Sequence, residues 1–368
     1  MSKIQKHIDM LKRAYHLYLS GLNRPEIEHL LKRDTPDVYS FYSKGIQSPS
    51  KADLKKPRTI LRFAKELFIS FLLKLSPARR VFYILAFCLF GWGLIFNMVY
   101  HIVLGFLILN ILLALELADK LKTKDELEFA REIQLSLLPR LPSKIGMLRF
   151  AGFMETALEV GGDYYDLYRL EDGRILLIIG DVSGKGIAAA LYMVRLQGFM
   201  GMLVSQTQSP REILCKMNQL CNAQLKRNFF VTLTIALIDP NSMEMQICRA
   251  GHNPLIYFRQ LAQRCLSIEP RGLALGLENN GLFEKSLEEV KLALQPGDLI
   301  FMYTDGLNET RNAKLEEFGE RRIADIICHH HAKPPDQLQT LLLQEVTKFR
   351  AHHSAHDDLT FVIVQAGA

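Results

Sequence analysis

Apolar residues open the chain at Ile4, Ile8, Leu11 and Tyr15, spaced four, three and four, as one face of a helix requires. Residues 1–78 continue as a basic helical segment with Pro- and Ser-containing loops such as SKGIQSPSKAD. The segment closes on the apolar-faced stretch ILRFAKELFISFLLKLS. The regime then changes: Val81 to Leu115 is 35 residues without Asp, Glu, Lys or Arg. One spanning helix needs about 20 residues, and a single straight helix of this length would overshoot a hydrocarbon core of ~30 Å. The pattern therefore predicts two short spanning helices with a turn near Asn97–His101, a membrane hairpin over residues 79–118. Charges return from Leu117 to Leu138, where Leu127, Ala130, Ile133 and Leu137 repeat at helical spacing until Pro139 and Pro142. That spacing predicts an amphipathic linker helix over residues 119–142.

Beyond it, residues 148–366 alternate strand and helix patterns. ILLIIGD, FVTLTIALID, DLIFMYTDG and DDLTFVIVQ are short apolar runs bounded by turn residues, each read as a buried strand. MEMQICRAGHNPLIYF reads as a hairpin around GHNP, with His252 holding the loop. IAAALYMVRLQGFMGMLV, FGERRIADIICHHH and PDQLQTLLLQEVTKFRAH read as helices. The expected fold class is an α/β layered domain.

Charge sharpens this division. Residues 1–80 carry 17 Lys and Arg against 7 Asp and Glu, and the remainder carries 28 against 32. The basic excess crowds toward the apolar segment, where an anionic membrane lipid surface accounts for it; no nucleic acid is needed. Arg79 and Arg80 precede the hairpin and Lys120, Lys122 and Lys124 follow it, which places both ends in the cytoplasm. The first twenty residues lack the continuous apolar core of a secretory signal. Six cysteines without CxxC spacing indicate reduced thiols, neither a zinc site nor a disulfide framework.

The candidate chemistry lies where acids meet strands. Asp163 and Asp166 lie in GGDYYD, Asp181 ends ILLIIGD, Asp305 ends LIFMYTDG, and Asp357 and Asp358 open DDLTFVIV. Singly, such acids mark turns in any α/β protein. Together they suggest convergence, and gathered carboxylates repel one another unless a cation intervenes. Carboxylates, backbone carbonyls and water, without Cys or His, suit Mg2+ or Mn2+. Two such ions sharing one Asp supply an ionised water for in-line attack on a phosphoryl group. The stretch GDVSGKG imitates other loops without matching them. A nucleotide-binding loop needs Gly at Ile179 and Ser or Thr at Gly186. A nucleophile elbow needs Gly where Asp181 and Lys185 stand. Ser183 is left as a turn residue. No kinase signature set is present, which removes a phosphotransferase. The run His329 to His331 reads as a solvated helix end, and His352, His353 and His356 as flanks of a strand rather than ligands.

In order, GGDYYD, GDVSGKGIAAALYM, RAGHNPLIYF, RGLALGL, PGDLIFMYTDGLNET, FG and HDDLTFVIV resemble the bacterial PPM-type protein phosphatases. Their nearest branch is that of sporulation stage II protein E and its stress-response relatives. The resemblance spans roughly residues 125–366 and includes the lead-in REIQLSLLP. It implies an α-β-β-α sandwich with a two-metal centre (Mn2+ or Mg2+) at one end. It makes Asp181 the bridging ligand, the Val182 carbonyl a ligand of the second metal, and Asp305 and Asp357 further ligands of the first. Asp163 is similar to the acid that holds metal-bound water. Asp166 matches the second acid of its motif, and Asp358 a variable neighbour. Many relatives have His where Lys185 stands, and Lys also occurs there. The implied substrate is phosphoserine or phosphothreonine on a regulatory protein, such as an anti-sigma-factor antagonist. The implied location is the bacterial inner membrane, with the catalytic domain in the cytoplasm. The linker helix allows a homodimer. The competing class is a membrane-attached scaffold that holds a phosphoprotein without hydrolysis; loss of a metal-ligand acid would favour it, and none is lost.

Overall fold

A computed structural model of the chain describes residues 57–226, 228–351 and 355–367. The helix expected at Ile4–Tyr15, the loop SKGIQSPSKAD, and His352 and His353 lie outside the described residues. The chain divides into two compact units, Met1–Leu121 and Lys122–Ala368.

In the first unit, α1 (Pro57–Lys74) is followed by α2 (Pro77–Ile95) and by the start of α3 (Val99–Leu137). A helix end leaves carbonyls without partners. Here the Arg80 guanidinium donates to the carbonyls of Leu72, Leu73 and Leu75 and so closes the end of α1. Arg79 binds Glu116 at 2.8 Å and Asp119 at 2.6 Å, tying the start of α2 to α3. A Cβ on Gly93 would stand 2.6 Å from Ile102 Cγ1, and one on Gly105 2.8 Å from the Ala86 carbonyl, so both glycines let α2 and α3 touch. Gly91 faces open space. Large apolar side chains of the pair lie on its outside, among them Ile95 at 77% exposure.

The linker was expected as a helix of its own. It is instead the second half of α3, which runs 39 residues without a break. Ala, Leu, Glu and Lys fill this stretch and all favour helix, and no Gly or Pro follows Gly105 until Pro139.

The second unit is a sandwich of two antiparallel sheets. One has six strands in the order β1 (Lys144–Ile145), β2 (Leu148–Glu155), β11 (Leu359–Ala366), β10 (Leu299–Tyr303), β7 (Leu255–Arg259), β8 (Arg264–Ile268). The other has five: β3 (Tyr164–Arg169), β4 (Ile175–Val182), β5 (Val231–Asp239), β6 (Glu244–Ala250), β9 (Glu289–Ala293). Side chains of a strand point alternately to its two faces. On β4, Ile175, Leu177 and Ile179 enter the core between the sheets. Leu176 and Ile178 enter a second core under α4 (Ile187–Gln206) and α5 (Pro210–Gln224), which Phe283 of the short α6 (Leu282–Ser286) also enters. On β10, Ile300 and Met302 face the inter-sheet core. Leu299, Phe301 and Tyr303 face a third core under α8 (Gly319–His330) and α9 (Pro335–Arg350). The central strands β4 and β10 are thus covered on both sides, which is why they read as continuous apolar runs.

The hairpin expected around GHNP does not form: β6 lies in the five-stranded sheet and β7 in the six-stranded one, so the segment crosses between layers. Gly251 holds φ 68° there, with backbone of Ala274 2.8 Å from where its Cβ would be. Pro254 offers no N–H to a hairpin ladder.

Among the described residues, three helices, α2, α3 and α4, are long and apolar enough to cross a membrane by length and composition. The third packs within the second unit, where Met193, Leu196, Met200 and Leu203 are buried in the core beneath β4. In residues 122–368, Met193→Lys should abolish cooperative unfolding by calorimetry. Leu191→Lys, at a position 66% exposed on the same helix, should shift stability by less than about 0.5 kcal/mol. Equal tolerance of both would contradict this packing.

Candidate active site

Strand ends deliver the acids to one end of the sandwich. Asp181 and Val182 finish β4, paired with Thr232 and Val231 of β5. Asp305 opens the one-turn helix α7 (Asp305–Asn308) directly after β10. Asp357 and Asp358 precede β11, whose start pairs with the end of β10 through Tyr303 and Phe361. Asp163 precedes β3, as the last residue of the loop 156–163.

Burial and mutual repulsion govern these carboxyls. Burial, then the charges of Asp181 and Asp358, hold Asp163 well above the usual carboxylate range. Burial, then Asp305, Asp357 and Asp358, push Asp181 up to about 7. Asp305 is raised by burial, then by Asp357 and Glu309. Thr304 Oγ1 donates to Asp163 Oδ2 at 2.8 Å, and Thr360 N–H donates to Thr304 Oγ1 at 3.0 Å. Gly162 keeps the centre open: a Cβ there would stand 2.8 Å from the Val182 carbonyl and 3.2 Å from Asp181 Oδ1. Gly306 is equally constrained, because its Cβ would fall 1.9 Å from the Asp358 carbonyl oxygen.

The remaining two candidates are engaged otherwise. Asp358 accepts from the N–H groups of Ala157 and Gly162, each at 2.7 Å, and so pins the loop before Asp163. Asp166 accepts from the Tyr164 hydroxyl and the Leu167 N–H, each at 2.8 Å, within β3. The structure therefore gathers Asp163, Asp181, Asp305 and Asp357, gives Asp358 a bracing role, and leaves Asp166 in its own strand. Among the described residues, no three His, Cys, Asp or Glu side chains stand as a ready-made cation cage. A positive charge does stand beside them: Lys185 Nζ lies 2.7 Å from Asp357 Oδ2.

Residues 171–367 match the family model described as stage II sporulation protein E (SpoIIE). The chain belongs to the SpoIIE family. It is 25% identical over 244 residues to phosphoserine phosphatase RsbU of Bacillus subtilis, covering 66% of this chain and 70% of that protein. It is 23% identical over 249 residues to phosphoserine phosphatase RsbP of the same organism, covering 67% of this chain and 59% of that protein. The SiaA-PP2C domain of Pseudomonas aeruginosa superposes with a TM-score of 0.60 at 20% identity, over 67% of this chain and 98% of that one. The RsbU and RsbW domains of Rv1364c from Mycobacterium tuberculosis superpose with a TM-score of 0.52 at 28% identity, over 63% of this chain and 62% of that one. The α-β-β-α sandwich is thus the PP2C fold expected from the motif order. The chain spans less than two thirds of RsbP and of the Rv1364c structure.

Within this SpoIIE-family domain, several site residues escaped the sequence patterns. Gln134 of α3, 3% exposed, donates to the Gly161 carbonyl at 2.6 Å and accepts from its N–H at 3.1 Å. A polar side chain facing inward from a charged amphipathic helix has no signature in hydrophobic spacing. Thr304 had only its position before Asp305 to mark it. Ser183 accepts from the Phe230 N–H at 2.9 Å, as a turn residue does. His252 is buried, with Nδ1 2.9 Å from Thr232 Oγ1. Burial, then Arg249, lowers it to about 3, so it is neutral at physiological pH. His329 Nδ1 lies 2.6 Å from the Asp325 carbonyl within α8. The His331 ring stacks on Phe258 at 4.3 Å, packed rather than merely solvated.

The raised carboxyls have a consequence for stability. Folded Asp181 binds its proton more tightly than the unfolded residue does, so stability is present at low pH and lost as pH rises. The window runs from about 4, the ordinary carboxylate value, to about 7. Metal-free residues 122–368 should therefore melt at lower temperature at pH 8 than at pH 5.5, and Asp181→Asn should flatten that dependence. A melting profile that rises across this window, or is unchanged by Asp181→Asn, would overturn the electrostatic account.

Proposed function

We propose that this chain is a divalent-metal-dependent protein phosphatase acting on phosphoserine or phosphothreonine of a regulatory protein. The observation that carries the reading is the convergence of Asp163, Asp181, Asp305 and Asp357 at one end of a SpoIIE-family sandwich, where burial and then neighbouring carboxylates raise Asp163, Asp181 and Asp305. RsbU and RsbP bear the name phosphoserine phosphatase.

The acids fit a metal. The donors are all oxygen, which favours a hard cation such as Mn2+ or Mg2+. Their mutual repulsion is the kind a divalent ion relieves, and Gly162 leaves the space beside Asp181 and the Val182 carbonyl open. Asp181 would be the shared ligand of two ions, the Val182 carbonyl a ligand of the second, Asp305 and Asp357 ligands of the first, and Asp163 the holder of a water. When bound, such ions supply charge stabilisation to the phosphoryl oxygens and lower the pKa of water. The chain's own part is placement. β4, β10 and β11 fix the carboxylates, Thr304 orients Asp163, and Asp358 braces the loop before it. No side-chain nucleophile is required, and Ser183 serves the turn.

The remaining assignments extend this reading. The substrate is taken to be a phosphoprotein of the anti-sigma-factor antagonist type. α2 and the apolar part of α3 form the membrane hairpin in a bacterial inner membrane, with the basic segment on anionic lipid and the catalytic domain in the cytoplasm. The apolar stripe of α3, with Phe129 at 64% and Ile133 at 47% exposure, supports a homodimer through the linker helix.

Purified residues 122–368 should hydrolyse a phosphoserine peptide with Mn2+ and stop on addition of EDTA. Asp181→Asn and Asp305→Asn should each lower kcat/KM by at least about 100-fold, a loss of roughly 2.7 kcal/mol of transition-state stabilisation. A wild-type domain that binds the phosphoprotein with Mn2+ present yet never hydrolyses it would make this a scaffold. Ser183→Ala should keep most activity. For the membrane assignment, reporter fusions at Arg80 and Lys120 should both read cytoplasmic; opposite readings would mean one span.

A further inference from the structure

The loop Ser183–Gly186 carries a lysine between two glycines of positive φ, Gly184 at 95° and Gly186 at 70°. This backbone turns the Lys185 side chain away from α4 and toward the segment before β11. Its ammonium lies 2.7 Å from Asp357 Oδ2 and donates to the His356 carbonyl at 2.7 Å. Lys185 also lowers the proton affinity of Asp305, against the raising effect of burial, then of Asp357 and Glu309. It is therefore within electrostatic reach of both acids assigned above to the first metal. Lysine differs from a metal in one respect that matters here: it brings a single charge to a cluster of four carboxyls. It satisfies Asp357 and leaves Asp181 and Asp163 raised.

We propose that Lys185 is a tethered counter-ion of the metal-free site, which an incoming divalent cation must displace from Asp357. This rests on the metal reading of the site given above. The ion pair is partly solvated, with side chains 44% and 32% exposed, so it is weak enough to break. Breaking it weakens metal binding by the free energy of the pair, and the displaced ammonium stays nearby and repels the ion. The glycines on either side let the loop tip carry the ammonium away without disturbing β4, which ends at Val182. Lys185 is thus a positioning residue: it sets how tightly the site loads and holds Asp357 in place while the site is unloaded.

The test is a Mn2+ titration of the purified full chain in detergent, with free Mn2+ read from its EPR signal. Asp181→Asn identifies the site-bound fraction. Lys185→Met should bind that Mn2+ about three- to tenfold more tightly than wild type. Lys185→Arg, which keeps the charge, should stay within about twofold of wild type. Without metal, Lys185→Met should melt about 1–4 °C below wild type, and saturating Mn2+ should close that gap. Mn2+ binding by Lys185→Met that is unchanged or weaker than wild type overturns the inference while leaving the metal reading standing. If wild type takes up no Asp181-dependent Mn2+, the metal reading fails and the inference falls with it.

Discussion

Four carboxyl groups held near one another in a poorly solvated place repel, and much of this domain's architecture answers that repulsion. An isolated buried carboxylate is costly, and each neighbour of like charge adds to the cost. The fold supplies partial answers from its own atoms. Thr304 gives Asp163 a hydrogen bond, the N–H groups of Ala157 and Gly162 take both oxygens of Asp358, and Lys185 faces Asp357. None of these neutralises Asp181, which sits at the middle of the interaction and is raised to about 7. A site left electrostatically short in this way is the kind that gains most from a divalent cation.

The sandwich makes the gathering possible. Strands covered on both faces cannot shift register by one residue without exchanging two apolar cores, so their ends are fixed tightly. β4 is held by Leu176 and Ile178 on one side and by Ile175, Leu177 and Ile179 on the other. β10 and β11 are held likewise by the inter-sheet core and by the core under α8 and α9. The acids stand at or just beyond the ends of these fixed segments, where the chain enters or leaves the sheet. Small residues then set how near they come: a side chain on Gly306 would collide with the Asp358 carbonyl, and one on Gly162 would fill the space beside Asp181.

Much of this is legible in the amino-acid sequence. Apolar runs ending in acids mark strands whose last residue leaves a core for a polar rim, and Asp181 and Asp305 follow that rule. What stayed hidden falls into two kinds. The first is pairing between layers: Ala250 and Leu255 are separated only by the four residues GHNP, yet their strands belong to different sheets. Local turn chemistry cannot report which sheet a strand will join. The second is polar contact over long separations. Asp358 reads as a neighbour of Asp357, but its partners are Ala157 and Gly162, about 200 positions earlier in the chain. Asp166 carries the same motif as Asp163 and points to a different role, because alternate strand positions face different surroundings. Spacing alone gives both acids equal standing.

The linker helix shows why the boundary between connector and enzyme is better drawn by hydrogen bonds than by charge pattern. α3 begins in the apolar segment and ends at Leu137, whose carbonyl accepts from the Gln197 side chain of α4 at 2.6 Å. One turn earlier, Gln134 matches both backbone groups of Gly161. An amide that satisfies a buried peptide N–H and C=O together leaves neither unpaired if it stays, and strands both if it goes. Gly161 is adjacent to Gly162, whose N–H holds Asp358, and Gly162 is adjacent to Asp163. The last turn of α3 is therefore part of the wall that positions the acids. A description of the catalytic unit that began at β1 would omit one of the groups that builds its site.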